Sequence, residues 1–271
     1  GLITCVELVI RHTPAAIGHH LLQFQDMADL QAAALELAAA TPQPFYAHFA
    51  AETHGRFLRR AGFTAAAEAP LLALTYDGAT DEVRQAAGRW RGVALAAVLA
   101  EREWAERFLA LRLKRGGPSV LGAEAWLPLA RLADYARDVA QLAARQGLLI
   151  AVYGTIVAPG QATVMALYGC DETRTLPYLL ALSLTKKLYD IAFRHGGRPY
   201  GIGVWNTPYL SHAFSAEELA TKRSQKRALD PADILNPGKV YEPPRLLRPP
   251  AFTVGMEVLA GVRRVGKGWS G

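Results

Sequence analysis

Two stretches of the chain concentrate residue types that could do chemistry. The first, HGGRPYGIGVWNTPYL from His195 to Leu210, sets Arg198, Tyr200, Trp205, Asn206 and Tyr209 among four glycines and two prolines. Glycines let a backbone approach a ligand closely, and aromatic rings offer flat contact surfaces. The same residues also suit a glycine-rich loop with core aromatics. The second, DPADILNPGK from Asp230 to Lys239, reads as a turn. Asp230 can cap it with Pro231 at its first position, and Asn236-Pro237-Gly238 fixes Lys239 in place. The phosphate-cradling GxxxxGK[ST], HExxH, CxxC and GxSxG patterns are absent. The seven histidines offer no helical i, i+4 pair, and His19 and His20 point to opposite faces of a strand, so spacing gives no metal site. Cys5 and Cys170 read as buried small hydrophobes of a reducing compartment.

The elements that must position these residues follow from periodicity. LITCVELVI reads as a strand stopped by Thr13-Pro14, with nothing before it to pair with. HLLQFQ is a strand, and Asp26 caps the helix MADLQAAALELAAA, which Pro42 and Pro44 end. FYAHFA is a strand, followed by a short basic segment, the strand LLALTYDG and a helix from about Thr80 to Ala100. The second half replays this order. VLGAEAWLP is a strand, and LARLADYARDVAQLAARQG is a helix closed by Gly147. Leu129, Leu132, Ala133, Ala136, Val139, Ala140 and Ala143 share its apolar face. LLIAVYG and ATVMALYG pair across a turn containing Pro159-Gly160, a long helix covers about Thr173 to Arg194, and GRPYGIGVW is extended. A helix near Ala216–Ala228 precedes the DPADILNPGK turn. Each half is therefore strand-helix-strand, strand, helix, the split β-α-β order of a ferredoxin-like unit. The expected fold is α+β, a duplicated ferredoxin-like sheet with helices on one face.

The chain has 271 residues, half of them hydrophobic, with a net charge of +6. Such composition is ordinary for a globular protein. Arg245, Arg248, Arg263, Arg264 and Lys267 oppose only Glu257 in the tail. The body is thus near neutral, which argues against a broad nucleic-acid surface. The tail AFTVGMEVLAGVRR reads as a packed terminal helix, or as one lying on a partner or an anionic membrane surface. No run of eighteen apolar residues occurs. The expected location is cytoplasmic, with the tail allowing a place at the inner-membrane surface. The opening Gly1, in place of methionine, reads as the start of a fragment or a processed piece.

Taken together, GLITCVELVIRHTP, EAWLPLARLADYARDVAQLAARQGL with its following strand to Gly154, and RALDPADILNPGKVY resemble the FAD-linked oxidase family. That family includes D-lactate dehydrogenase, glycolate oxidase and vanillyl-alcohol-oxidase relatives. The resemblance implies that residues 1–14 are the last strand of a missing FAD-binding domain and 15–212 a substrate cap. It also implies that 213–245 return to the flavin and 246–271 form a basic tail. It implies FAD held mainly by the domain absent here and a small-molecule substrate, with the electron acceptor open among oxygen, a quinone and an electron-acceptor protein such as a cytochrome or an iron–sulfur partner. The reaction implied is hydride transfer from an alcohol or 2-hydroxy acid to flavin. Asn236 and Lys239 would approach the cofactor; Arg107, Arg198, Trp205 and Asn206 would bind substrate.

The departures from the family pattern are specific. Where 2-hydroxy-acid members carry Gly-His-x-Gly-Asp-Gly-Asn-x-His, this chain reads GTIVAPGQAT, with Thr155 and Thr163 in place of metal-binding histidines. Threonine is a poor metal ligand, so no metal is expected. Gly-Glu-His-Gly-x-Gly becomes RPYGIG, so Pro199 replaces the glutamate and Tyr200 the histidine base. Tyr200 is thus the catalytic candidate, as a base or as an oxyanion donor. A phenol needs a positive neighbour to act as a base near neutral pH, and Arg198 is expected on the opposite face. Arg107, in a Trp104-x-x-Arg107 pattern, is either a carboxylate clamp or a helix-surface arginine. If the lid idea holds, Tyr200, Asn206 and Asn236 share one concavity. The alternative is a non-catalytic ferredoxin-like module binding a small molecule or a protein.

Overall fold

A computed structural model describes residues 4–10, 14, 16–78, 81–158 and 160–267. The first half runs β1 (Ile17–Gln23), α1 (Met27–Ala39), β2 (Tyr46–Ala50), α2 (Glu52–Arg60), β3 (Leu71–Asp77), α3 (Asp81–Arg89) and β4 (Val93–Ala94). After α4 (Ala97–Ala105) and a 3-10 segment at Ala110–Gly116, the second half begins. It runs β5 (Ser119–Pro128), α5 (Leu132–Gln146), β6 (Ile150–Ala158), β7 (Gln161–Cys170), α6 (Thr175–Arg194) and β8 (Arg198–Pro199). The chain ends in α7 (Leu210–Ala213), α8 (Ala216–Leu229) and α9 (Ala251–Lys267).

The eight strands form one sheet in the order β4-β1-β3-β2-β6-β7-β5-β8, each neighbouring pair antiparallel. Numbered within its own half, each set of four strands is arranged 4-1-3-2, and the halves join edge to edge through β2 and β6. Strand alternation sends Leu22, Phe49, Leu72, Leu127, Val152 and Val164 into the main core on one face. Against them α1 lays Leu30, Ala33, Ala34 and Leu37, and α5 lays Leu132, Tyr135, Val139 and Leu142. Asp26 caps α1 by accepting from the amides of Ala28 and Asp29, both at 2.9 Å. Gly147, at φ +61°, closes α5 in the left-handed conformation.

Several expectations need correction. Helices lie on both faces, not one. Phe57 and Leu58 of α2 pack with Leu113, Ala151 and Leu167, and Ala100 of α4 packs with Leu21 and Leu71, all on the second face. The basic segment after β2 is α2, whose arginines face solvent while Phe57 and Leu58 are buried. The helix drawn from 80 to 100 is broken. Arg91 takes φ +57° and the Gly92 amide donates back to the Ala87 carbonyl at 2.8 Å, so the chain reverses and adds β4 to β1. Thr80 and Pro159 lie outside the described residues. Residues 4–10 are exposed and form no strand, because no neighbour pairs with them among the described residues. Cys5 within them is exposed, and Cys170 is half-buried. GRPYGIGVW is a strand only at β8 and then turns into a 3-10 segment at Val204–Tyr209. In α5, Tyr135 and Leu142 join the core, and Ala140 faces out. The tail is a helix packed on α6, with Phe252 and Ala260 buried and Val254 and Val258 exposed. Among the described residues no helix is long and apolar enough to cross a membrane.

Candidate functional site

The second face of the sheet carries a cross-strand row read directly from the registers. His48 on β2 pairs Thr155 on β6, Thr155 pairs Thr163 on β7, Thr163 pairs Trp126 on β5, and Trp126 pairs Arg198 on β8. Directly opposed residues sit about 5 Å apart, so five strands present one continuous strip. The neighbouring row is Ala50, Tyr153, Met165 and Glu124, extended by Tyr200, whose amide donates to the Glu124 carbonyl at 3.0 Å. α4 covers this face over β1 and β3, and α2 covers it over β2 and β6, where Ala151 and Tyr153 are buried. Beyond α2 the face opens toward β5 and β8: Thr155, Thr163 and Trp126 are half-buried, and Arg198 and Tyr200 are exposed, because β6 and β7 are joined by a turn and not by a second helix.

Side-chain detail follows. The Thr163 hydroxyl accepts from the Thr155 amide at 3.3 Å. The Tyr153 hydroxyl donates to the Met165 sulfur at 2.8 Å, and burial raises the Tyr153 phenol above its ordinary range, the Glu124 charge adding to it. The Trp126 ring is 5.6 Å from the Tyr200 ring and 5.6 Å from the Arg198 guanidinium. Arg198 is therefore on the same side as Tyr200, against expectation. Residues two apart on an extended chain share a face. Tyr200 is 48% exposed, which leaves its hydroxyl free to meet a ligand. Burial raises the Glu124 carboxyl above its ordinary value. No group of three or more metal-ligating side chains forms among the described residues.

Beside the open strip, at the edge of β5, lies a cleft of about 440 Å³ bordered by Glu124, Met165, Gly201, Trp205 and Asn206. Trp205 and Asn206 thus line a hollow that Glu124 and Met165 share with the strip. The Asn206 amide also donates to the Gly201 carbonyl at 2.7 Å, which shapes the loop. Arg107 is elsewhere. Its guanidinium lies 3.6 Å from the Trp104 ring and 4.3 Å from that of Phe108, and it donates to the Trp104 carbonyl at 2.6 Å. Trp104 in turn stacks on His19 of β1 and meets Tyr46 of β2 edge-on. β2 and β8 are four strand spacings apart, roughly 19 Å. Asn236 and Lys239 border a separate hollow of about 370 Å³ below the end of α8. There the Asp230 carboxylate accepts from the amides of Ile234 and Leu235 and pairs with Lys226. Among the described residues Asn206 and Asn236 border separate hollows, so the concavity expected to join them with Tyr200 does not form there. The fold brings Tyr200, Arg198, Trp205 and Asn206 to one region and leaves Arg107, Asn236 and Lys239 apart.

Sequence reasoning missed Glu124, Trp126 and His48. The available signal was alternation: Glu124 and Trp126 are the polar-side positions between the apolar Ala123, Ala125 and Leu127.

Comparison with known proteins identifies the fold and the family. The chain is 39% identical over 85 residues to D-2-hydroxyglutarate dehydrogenase of Xanthomonas citri pv. viticola, covering 31% of this chain and 16% of that protein. It is 25% identical over 136 residues to glycolate oxidase subunit GlcD of Bacillus subtilis, covering 48% and 27%. The fold matches 4-ethylphenol oxidase from Gulosibacter chungangensis at a TM-score of 0.68 and 15% identity, over 87% of this chain and 55% of that one. It matches p-cresol methylhydroxylase at 0.62 and 14%, over 82% and 52%. The chain therefore spans about half of these solved structures and about a quarter or less of these curated relatives. The model of the FAD linked oxidases, C-terminal domain, matches residues 13–240, and the chain belongs to that family.

Proposed function

We propose that this chain is the substrate-side cap of an FAD-dependent oxidoreductase that oxidises an alcohol or 2-hydroxy acid. On this reading residues 15–212 are a duplicated ferredoxin-like cap, a view supported by the 4-1-3-2 strand order of both halves. Residues 1–14 belong with a preceding FAD-binding domain, 213–245 return toward the flavin, and 246–271 are an appended tail. One observation carries the proposal. The open strip carries an aromatic pair, the half-buried Trp126 and the exposed Tyr200, beside half-buried threonines and the exposed Arg198. A sheet face left to water normally carries polar side chains, so an aromatic strip suits a flat ring system laid against it.

FAD, held mainly by the preceding domain, would supply the hydride acceptor. The chain's own residues do the rest. Trp126 fixes the planes of Tyr200 and Arg198. The Tyr200 hydroxyl hydrogen-bonds the substrate oxygen and takes or shares its proton as the C–H bond breaks. Arg198, a permanent cation on the same ring, favours negative charge on either oxygen. The Thr155 hydroxyl adds a neutral donor, and closure against the flavin domain excludes water.

The test uses the complete flavin-bearing protein. Anaerobic reduction by its alcohol substrate, followed by loss of flavin absorbance, is expected to slow about 100-fold in Tyr200→Phe. A complete protein without flavin, or an unchanged reduction rate in that variant, overturns the assignment.

A further inference from the structure

The cleft at the β5 edge adds what the strip lacks, a place for the body of the substrate. Resting on the cap reading above, we infer that this cleft takes an uncharged alcohol with an apolar body and excludes carboxylates, and that α9 supplies its far wall.

Charge is the first argument. Of the side chains bordering the cleft, only Glu124 and Lys186 are ionisable as acid or base apart from tyrosines. Lys186 is 12% exposed and is already held between Asp190 at 2.7 Å and Glu257 at 3.7 Å. Glu124 has no cationic partner within 4.0 Å among the described residues. An anion entering the cleft would meet an unpaired carboxyl and no free cation. Desolvating a charge without a partner is strongly unfavourable.

Apolar lining and backbone geometry make the second argument. Leu121, Met165, Leu182, Phe252 and Met256 surround the hollow. Its volume of about 440 Å³ lies within the range for small-molecule sites, about 300–1,000 Å³. The polar points are neutral. The Glu124 amide donates to the Tyr189 hydroxyl at 3.4 Å and the Glu124 carbonyl accepts from Tyr200, so both Glu124 backbone groups face the β8 side. By the two-residue alternation Gly122 turns the same way, and β8 pairs only Ala125 and Trp126. Gly122 therefore offers a backbone donor and acceptor to a hydroxyl in the cleft.

Position is the third. Phe252 and Met256 lie on α9, beyond the residue 240 at which the family match ends. The wall is therefore supplied from outside the matched segment, fixed by the Lys186–Glu257 pair and by packing on α6.

Calorimetric titration of the 271-residue chain with 4-phenylbutan-1-ol and with 4-phenylbutanoate at neutral pH tests this directly. The alcohol is expected to bind about tenfold or more tightly than the carboxylate. Met256→Glu and, independently, Leu182→Glu are each expected to weaken the alcohol about tenfold with an unchanged circular dichroism spectrum. Equal or tighter binding of the carboxylate, no binding of either probe, or alcohol affinity unchanged in both folded variants overturns the inference. Because the titration needs no cofactor, a complete protein without flavin would end the oxidase reading and leave the cleft result standing.

Discussion

The two halves of the sheet share one strand order but treat their second face differently. In the first half a helix follows β2 and another follows β4, and both settle on that face. In the second half β6 returns to β7 through a turn, no helix of its own covers that face, and beyond the part of β6 under α2 it opens toward β5 and β8. His48 and His54 are consequently packed around Tyr153 under α2, at 5.9 and 4.8 Å between ring centroids, whereas Tyr200 is exposed against a half-buried Trp126. Residue type alone would have chosen the histidines as the chemical group. Coverage separates them: the rings under α2 serve as packing, and on the proposed reading the uncovered ones meet a ligand.

The comparison breaks most severely at the seam. A Cβ on Gly154 would lie 1.8 Å from the Thr163 carbonyl oxygen and 2.8 Å from the Phe49 ring, in the strand that joins the halves. Gly154→Val is expected to cost about 3 kcal/mol or more, since neither backbone nor a fully buried ring can yield. Gly169, whose nearest contact is the Phe57 ring at 3.9 Å, is expected to accept alanine with little change. Urea unfolding of both variants measures the contrast. Equal losses would mean that the seam is no tighter than the strand end.

The next effect is a pH dependence confined to the covered half. Burial lowers His48 to about 4, and burial aided by His48 and Arg112 lowers His54 to about 3. Both are neutral in the fold, while the unfolded chain takes up their protons below about pH 6.5. The unfolded state thus binds more protons between about pH 4 and 6.5, and stability falls as pH falls through that window. The loss is on the order of 2 kcal/mol per histidine by the low end of the range, since both rings keep some contact with solvent. Glu103 borders the same small hollow, and burial raises its carboxyl, which acts in the opposite sense nearer its own titration. Unfolding midpoints from pH 7 to pH 5 in the parent and in His54→Gln read this out. A slope unchanged by the substitution would place the titration elsewhere.

How much of this was legible follows the range of the interactions. α5 could be read because its apolar period and its closing glycine are local. α2 could not, because arginines dominate its composition and only Phe57 and Leu58 reveal its buried side. The region around β8 was marked by its glycines and aromatics. The strip itself depends on pairing between strands more than 100 residues apart, as His48 is brought beside Thr155. Such pairings leave no signature in one sequence. Asn236 and Lys239 were grouped with Tyr200 through motif likeness, and the described residues put them in another hollow.

The smallest contrast lies in the equivalent helices α1 and α5, which solve the same problem at opposite ends. α1 is fixed at its start, where the Asp26 carboxylate satisfies two amides that the helix leaves unpaired. α5 has no cap from its own preceding residue, its Ala133 amide donating instead to the Gln31 side chain of α1 at 2.8 Å, and it is fixed at its end by Gly147 in the left-handed region. Asp26→Ala removes two bonds and is expected to cost about 1 kcal/mol. Gly147→Ala forces a Cβ into a left-handed residue and is expected to cost about 1–2 kcal/mol. Thermal unfolding separates the two routes: Gly147→Asn, which tolerates that conformation, is expected to recover most of the loss, and Asp26→Ser to do the same for α1. If neither conservative variant recovers stability, the termini are held by packing of the helices on the sheet and the caps contribute nothing of their own.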